Sequence, residues 1–201
     1  VFFFFLDEEA KLCASMILQS HQKGCPFSDC AFLYRTNAQS LTFESEFLHQ
    51  KIPYQVVGSL KFYDREEIKD LLAFLSLVAN PKDELSFRRI INKPARGIGN
   101  VAQDKIFTSA ITDDGLINLI DACKLSINNF SKKAKEGISM FISLMDELNE
   151  KISAENKELK LSEFIELIMN KSGLLEHHKV QDEIAQTQKV SNMQELVNSA
   201  V

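Results

Sequence analysis

Glycine and cysteine are scarce in this chain of 201 residues, which contains seven glycines and four cysteines. Cys13, Cys25, Cys30 and Cys123 show no framework spacing, which argues against a disulfide-stapled secreted domain and favours reduced thiols in a cytoplasm. His21, Cys25 and Cys30 could begin a zinc site, but the sequence offers no fourth ligand. No apolar run reaches the roughly 18 residues of a membrane span, so we expect no membrane partner.

The chain also lacks an overall positive charge, since its net charge at pH 7 is −5. This argues against a nucleic-acid-binding protein, because phosphate contacts need cations. Between residues 82 and 105 the sign reverses, and six basic residues stand against three acidic ones, a local balance of +3. The basic residues are Lys82, Arg88, Arg89, Lys93, Arg96 and Lys105. A phosphate-binding surface is therefore expected in this segment.

Residues 1–58 alternate strand and helix signals. The runs "VFFFFL" (1–6), "AFLY" (31–34) and "YQVV" (54–57) favour strands, and a short helix is predicted in each interval between them. The first of these helices should end at Gly24 and place four residues on one face: Ala10, Cys13, Met16 and Ile17. Strands alternating with helices predict a small α/β piece with a parallel sheet.

From residue 59 to residue 201 the pattern is helical, which predicts an all-α second domain. Asp64 and Glu67 form a capping signal, and Asn80 with Pro81 ends the helix that follows. Its apolar stripe consists of Ile68, Leu71, Leu72 and Leu75. The aromatic residues Phe62, Phe74 and Phe87 are expected in the core, and residues 153–160 form a polar loop.

Two of the seven glycines lie in "KPARGIGN", residues 93–100, between two predicted helices. Glycine lets backbone amides approach a ligand closely, and the helix that starts near Asn100 favours an anion. The pattern is not a dinucleotide fingerprint, because no strand precedes it and a third glycine is missing. A phosphate-binding turn and an ordinary tight connection both remain open on these residues alone.

Three segments carry a family resemblance: "AFLYRTNAQS", the stretch from "IPYQVVGSLKFYDREEIKD" to "NKPARGIG", and "NMQELV". In order and spacing they closely resemble the UvrD/PcrA/Rep group of superfamily 1 DNA helicases. The resemblance implies ATP-driven 3′-to-5′ movement on single-stranded DNA, in repair or replication. It also implies that residues 1–58 are part of the second RecA-like domain and residues 59–201 most of its helical insertion.

The resemblance assigns DNA contacts residue by residue. Asn37 matches an asparagine that contacts single-stranded DNA, and Lys61 matches a basic residue at the phosphates of that strand. The segment Arg96, Gly97, Ile98 and Gly99 matches the glycine motif that holds the duplex ahead of the fork. On the residues alone, Asn37 could instead cap the following helix, and Lys61 could be a solvated surface lysine.

The sequence departs from the family pattern at two positions. Leu41 stands where an arginine is usual, and Ser59 stands where a second glycine is common. The first change removes a positive charge, so any contact that this arginine makes is lost or shifted. Neither change alters Asn37 or Lys61 directly.

No "GxxxxGK[ST]" loop occurs in the sequence, and such a loop is what holds ATP phosphates in these motors. Since the chain lacks an initiator methionine and stops within an apparent helix, we expect a fragment without catalytic residues, cofactor or metal. It should be inactive alone, while the parent uses ATP and Mg²⁺. The expected partners are DNA, the missing motor domains and repair or replication proteins, in a bacterial cytoplasm at the nucleoid. The alternative is a helical protein-interaction or regulatory module that binds little DNA.

Overall fold

The computed structural model describes residues 6–113, 115–153 and 159–200. These residues form ten α-helices and one two-stranded antiparallel sheet. The helices are α1 (Leu6–Gln22), α2 (Ser40–His49), α3 (Glu66–Ala79), α4 (Glu84–Ile90), α5 (Asn100–Ala110), α6 (Leu119–Ser126), α7 (Lys132–Ser153), α8 (Leu161–Lys171), α9 (Leu174–Ala185) and α10 (Lys189–Ser199). The strands are β1 (Ile111–Thr112) and β2 (Gly115–Leu116), with Ile111 opposite Leu116. No helix in the described ranges has the length and apolar character needed to cross a bilayer.

The chain divides into two compact units, Val1–Ile68 and Lys69–Val201. The predicted domains meet instead at residues 58 and 59, and their assignment to a RecA-like domain and its insertion remains a prediction. Each unit has its own apolar interior, so each is described separately below.

In the first unit, α1 and α2 supply the side chains of one small core. The buried members of this cluster are Ala10, Ala14, Phe43, Phe47 and Ile52. The ring of Phe32 lies 4.1 Å from that of Phe43, centroid to centroid, which adds an aromatic contact to the apolar burial. Of the predicted face of α1, Ala10 is buried as expected, whereas Met16 is 58% exposed.

The predicted parallel sheet is wrong for the described part of the first unit. Residues 31–34 and 54–57 lie outside any strand, with Leu33 and Val57 strongly exposed. Leu6 already belongs to α1, and the remainder of the first predicted strand, residues 1–5, lies outside the described residues. A β-prone composition reports how well a segment suits a pleated, half-buried surface, and a strand forms only beside a hydrogen-bonded neighbour. Among the described residues, neither segment pairs with another strand.

The second unit is mostly helical, as predicted, but the two-stranded sheet β1–β2 lies within it, so the all-α prediction is wrong at residues 111–112 and 115–116. Asp83 caps α4 by accepting a hydrogen bond from the Ser86 amide at 3.1 Å, and α3 packs through an apolar face that includes the fully buried Phe74. Phe74 and Phe87 of this unit are fully buried, as is Phe62 in the first unit, so each of the three aromatic residues is in an apolar interior as expected. Helix α9 was not predicted, and most of the predicted polar loop, residues 154–158, lies outside the described residues.

Candidate functional site

The glycine turn, defined here as residues 93–99, joins α4 to α5 and is closed on its inner side. The side-chain oxygen of Asn92 accepts hydrogen bonds from the amides of Arg96 at 2.8 Å and Ile98 at 3.0 Å. The Ile98 side chain is fully buried, and Gln103 donates to the Ile98 carbonyl at 3.2 Å. The isoleucine of the motif is therefore an anchor in the core, and its side chain is withdrawn from any ligand.

The outer side of the turn presents backbone. Gly97 has a φ of +76°, which only glycine adopts without strain, and both Gly97 and Gly99 are exposed. Within the described residues, the amides of Gly97, Gly99 and Asn100 donate to no protein acceptor. A Cβ at Gly99 would meet no atom within 4 Å. The outer side thus offers open N–H groups at the start of α5, where an anion is favoured.

The guanidinium of Arg96 points inward and binds five backbone carbonyl oxygens. They belong to Ile90 (3.0 Å), Ile91 (3.2 Å), Lys93 (3.0 Å), Pro94 (3.4 Å) and Ser172 (2.9 Å). Ile90 and Ile91 end α4 and Ser172 follows α8, so the cation neutralises the negative ends of two helix dipoles. It also lies 5.7 Å from the Phe141 ring centroid. Burial lowers the pKa of Arg96 to about 10, and the group remains a cation at neutral pH.

Helix α7 lies directly against the turn. A Cβ at Gly137 would stand 2.0 Å from the Arg96 carbonyl oxygen, so the two backbones approach as closely as glycine allows. One turn earlier, the Lys133 side chain crosses the turn, because a Cβ at Gly97 would stand 3.0 Å from its Cγ and 3.1 Å from its Cε. Sequence reasoning missed both residues, although an isolated glycine within a helical pattern is a signal of close packing.

Most of the positive charge predicted around the turn is paired within the protein. Arg88 contacts Glu84 and Asp104, each at 2.7 Å. Arg89 and Lys93 both bind Asp70, which belongs to α3. With Arg96 on its carbonyls, four of the six basic residues counted from the sequence serve internal contacts. The local excess of charge therefore does not measure the charge available to a ligand.

Asp70 is the centre of a buried ionic cluster that the sequence did not reveal. Its carboxylate lies 2.7 Å from Arg89 Nε, 2.5 Å from Lys93 Nζ and 3.4 Å from His178 Nε2. Asp70 and His178 are both fully buried. Burial would raise the pKa of Asp70, but the close contacts of His178 and Lys93 and the charges of Lys93 and Arg89 hold it below its ordinary value. The cluster ties α9 and the end of α4 to α3.

In the first unit, Arg65 brings the neighbourhoods of Asn37 and Lys61 together. Its guanidinium donates to the Asn37 carbonyl at 2.8 Å and to the Leu60 carbonyl at 3.4 Å. Glu44 accepts from the Phe62 amide at 3.1 Å and fixes the same loop from the other side. Asn37 and Lys61 are both exposed, and Lys61 Nζ lies 4.8 Å from the Tyr54 ring centroid. Two residues 24 positions apart in sequence thus sit on loops held by one arginine.

Asn37 does not cap the helix that follows it. It opens a short 3₁₀ turn, Asn37–Gln39, which leads into α2, and the N-cap of this turn is Thr36. The Gln39 side chain accepts from the amides of Arg35 at 3.1 Å and Thr36 at 3.2 Å. The N-cap positions of the 3₁₀ turn and of α2 are thus Thr36 and Gln39.

Comparison with protein families decides where the chain belongs. Residues 3–201 match the model of the UvrD-like helicase C-terminal domain. The chain is a member of this family. It is 36% identical over 192 residues to ATP-dependent DNA helicase PcrA of Staphylococcus epidermidis, covering 95% of this chain and 26% of that protein. The same coverage applies to ATP-dependent DNA helicase PcrA of Staphylococcus aureus, at 33% identity. The chain thus spans about a quarter of the length of these relatives.

Two further points concern the chemistry of this UvrD-like domain. Leu41, which stands in place of the usual arginine, is 2% exposed and belongs to the interior of the first unit. Among the described residues, no three histidine, cysteine or acidic side chains converge on a common metal position. His21 instead stacks on Phe27, with ring centroids 3.8 Å apart.

Proposed function

We propose that the chain is part of an ATP-dependent DNA helicase that moves 3′ to 5′ along single-stranded DNA in repair or replication. Membership of the UvrD-like family and the names of the curated relatives support this proposal. ATP and Mg²⁺ act in the parent protein, in parts other than this chain, because the sequence contains no phosphate-binding "GxxxxGK[ST]" loop. We expect the chain alone to hydrolyse no ATP. Its setting is the nucleoid, with the motor domains and repair or replication proteins as partners.

In this proposal the glycine turn, with Arg96, Gly97, Ile98 and Gly99, holds the backbone of the duplex. The observation that carries it is the row of open amides on the outer side of an exposed turn. Phosphate oxygens accept hydrogen bonds from backbone N–H groups without any base being read. The space left by the missing Cβ at Gly99 contains no protein atom within 4 Å, which lets a phosphate approach the amides there.

Asn37 and Lys61 form a second contact in the proposal, with the single strand. Both are exposed and lie on loops that Arg65 joins. An amide side chain and an ammonium suit the sugar-phosphate backbone of a single strand, where cations supply affinity and polar groups supply position. The two contacts therefore engage different parts of a tailed duplex.

A tailed duplex tests both contacts in one experiment. A fluorescent duplex with a 3′ single-stranded tail, the same duplex with blunt ends and a single-stranded oligonucleotide of the same length are each titrated with the chain at several salt concentrations. Gly99→Ala should weaken duplex binding several-fold, because the added Cβ stands where a phosphate approaches. Its fold should be unchanged, since the Cβ meets no protein atom. Asn37→Ala combined with Lys61→Ala should weaken single-strand binding and leave blunt-duplex binding unchanged.

Two results would overturn the proposal. Equal duplex binding by the wild type and Gly99→Ala removes the role of the turn. If the wild type binds no DNA even at low salt but retains purified helicase or repair proteins, the interaction-module alternative is favoured.

A further inference from the structure

We infer that the two cations beside the glycine turn have separate tasks: Arg96 is a positioning residue, and Lys133 of α7 supplies the positive charge that meets a DNA phosphate next to Gly97. The juxtaposition that carries this inference is the Lys133 side chain lying along Gly97 while the Arg96 guanidinium faces the opposite way, into the protein. The inference rests on the proposed function of the turn.

Both terminal nitrogens of Arg96 are engaged by backbone carbonyls. One lies within hydrogen-bond distance of four carbonyl oxygens, which share its two hydrogens, and the other donates to the carbonyl of Ser172. To reach a phosphate, the guanidinium would have to leave the last carbonyls of α4 and the cap of α8 without a donor, which is costly for buried groups. Its contribution is to fix where the turn lies.

Lys133 has the opposite environment. The residue is exposed, and its ammonium makes no hydrogen bond or ion pair within the described residues. Its Cγ, Cδ and Cε all lie within 3.3 Å of the position that a Cβ at Gly97 would take. The aliphatic stem therefore runs along the outer side of the turn and delivers the charged end beside the open amides.

The position of Lys133 is set by the same packing that fixes the turn. Because residue 137 is glycine, α7 packs so closely on the turn that a Cβ there would stand 2.0 Å from the Arg96 carbonyl oxygen. Lys133 lies four residues earlier, on the same face of the helix. The first turn of α7 contains Lys132, Lys133 and Lys135 and no acidic residue. Lys135 donates to Asn128 at 2.8 Å, which directs that charge elsewhere. Lysines at the start of a helix repel its dipole, and a bound phosphate would offset this repulsion.

The salt dependence of duplex binding separates the two tasks. Each phosphate contact that is lost lowers the slope of log K against log salt by about 0.9. Lys133→Ala should lower the slope by about this amount and reduce affinity several-fold at low salt, with an unchanged unfolding midpoint. Lys133→Arg should retain both slope and affinity. Lys151→Ala is the matched control, since it removes the same charge from the far end of α7, about 27 Å away along the axis.

Arg96→Lys tests the positioning role by keeping the charge and removing the planar fork. A lysine cannot reach the ends of both α4 and α8. The unfolding midpoint of Arg96→Lys without DNA, and its affinity for the duplex, should therefore both fall. If the salt slope of Lys133→Ala equals that of Lys151→Ala, the role of Lys133 is overturned. If Arg96→Lys keeps wild-type stability and duplex affinity, the positioning role of Arg96 is overturned. If the wild type shows no salt-dependent duplex binding, the proposed function fails and the role of Lys133 fails with it. The DNA-free stability of Arg96→Lys then still decides whether Arg96 organises the turn.

Discussion

Arg65 in the first unit and Arg96 in the second each donate hydrogen bonds to backbone carbonyls from separate segments, but the surroundings of the two guanidinium groups differ. Arg65 is 6% exposed and binds the carbonyls of Asn37 and Leu60 and the Ser40 hydroxyl. The nearby charge of Glu44 partly offsets the effect of burial, which lowers the Arg65 pKa. For Arg96, no carboxylate pairs with the guanidinium in the described ranges, and carbonyl dipoles alone solvate it.

The comparison shows that a buried cation can be stabilised by helix ends as well as by a counter-charge. It also shows that the arginine of the glycine turn, which we propose binds DNA, holds the backbone of the turn in place. In both units the exposed polar groups, Asn37 and Lys61 in one and the glycine amides in the other, lie on backbone that a buried arginine holds. Removing each arginine should therefore disturb a binding loop without removing a DNA contact.

The largest effect is expected for Arg96→Ala. Five carbonyls lose a charged donor, and hydrogen bonds to charged groups contribute about 1.5–3 kcal/mol each without being additive, so we expect a loss of about 3–4 kcal/mol in unfolding free energy. Urea denaturation followed by far-UV circular dichroism measures it. A loss below about 1 kcal/mol would mean that the carbonyls find water instead.

Arg65→Ala is the matched variant in the first unit. Glu44 keeps its hydrogen bonds from the Phe62 amide and the Tyr54 hydroxyl, so the expected loss is smaller, about 2 kcal/mol. All three tyrosines of the chain lie within residues 1–68, so tyrosine fluorescence reports on this unit. An equal or larger loss than that of Arg96→Ala would reverse the comparison.

Asp70→Asn extends the comparison to a buried anion. Breaking a buried ion pair costs about 3–5 kcal/mol, but Arg89 and Lys93 are partly exposed and can regain water, so we expect about 2–3 kcal/mol at neutral pH. The folded-state pKa of Asp70 is depressed, so its contribution is present above the unfolded pKa of about 3.9 and is lost as pH falls through the lower folded value. Urea midpoints between neutral and acidic pH should therefore fall more steeply for the wild type than for Asp70→Asn. Parallel curves would contradict this.

Gly137→Ala tests the close packing of α7 against the backbone of Arg96. The added Cβ would collide with the Arg96 carbonyl oxygen, which costs about 1–3 kcal/mol, while alanine gains up to about 1 kcal/mol in helix propensity. A net loss of about 1–2 kcal/mol is expected in thermal or urea unfolding. Ser139→Ala, an exposed position on the same helix, should be neutral or stabilising. A stabilised Gly137→Ala variant would show that the turn moves freely.

The smallest effect is expected at Glu44, the carboxylate near Arg65, and it is a shift in the pKa of Tyr54. Burial, and then the charge and hydrogen bond of Glu44, raise the pKa of Tyr54 to about 12. A titration of tyrosine absorbance should show one tyrosine ionising near pH 12, and Tyr54→Phe should remove that step. In Glu44→Gln the step should move to lower pH, because a neutral amide repels the phenolate less. An unmoved step would leave burial and the charge of Asp64 as the causes of the raised pKa.

The sequence predicted the helices of the second unit well, because helix signals are local. The stop at Asn80 and Pro81 and the glycine turn before α5 are each complete within a few residues. The cap predicted at Asp64 stays a prediction, since Asp64 ends a 3₁₀ turn and α3 begins at Glu66. The parallel sheet failed for the opposite reason, since segments 31–34 and 54–57 need hydrogen-bonded neighbours that local sequence does not specify. The single-strand contacts and the glycine motif were assigned through family resemblance, and their roles remain predictions.

By itself, the sequence determined the helical character of most of the described part of the second unit, the place of the glycine turn and the family to which the chain belongs. Only the tertiary structure decided which charges are available. Arg88, Arg89, Lys93 and Arg96 look alike in the sequence, yet acidic residues and carbonyls engage all four, while Lys133, 36 positions beyond Gly97, lies across the turn. The reason is physical: helix propensity depends on neighbours along the chain, whereas the use of a charge depends on the groups that folding brings around it.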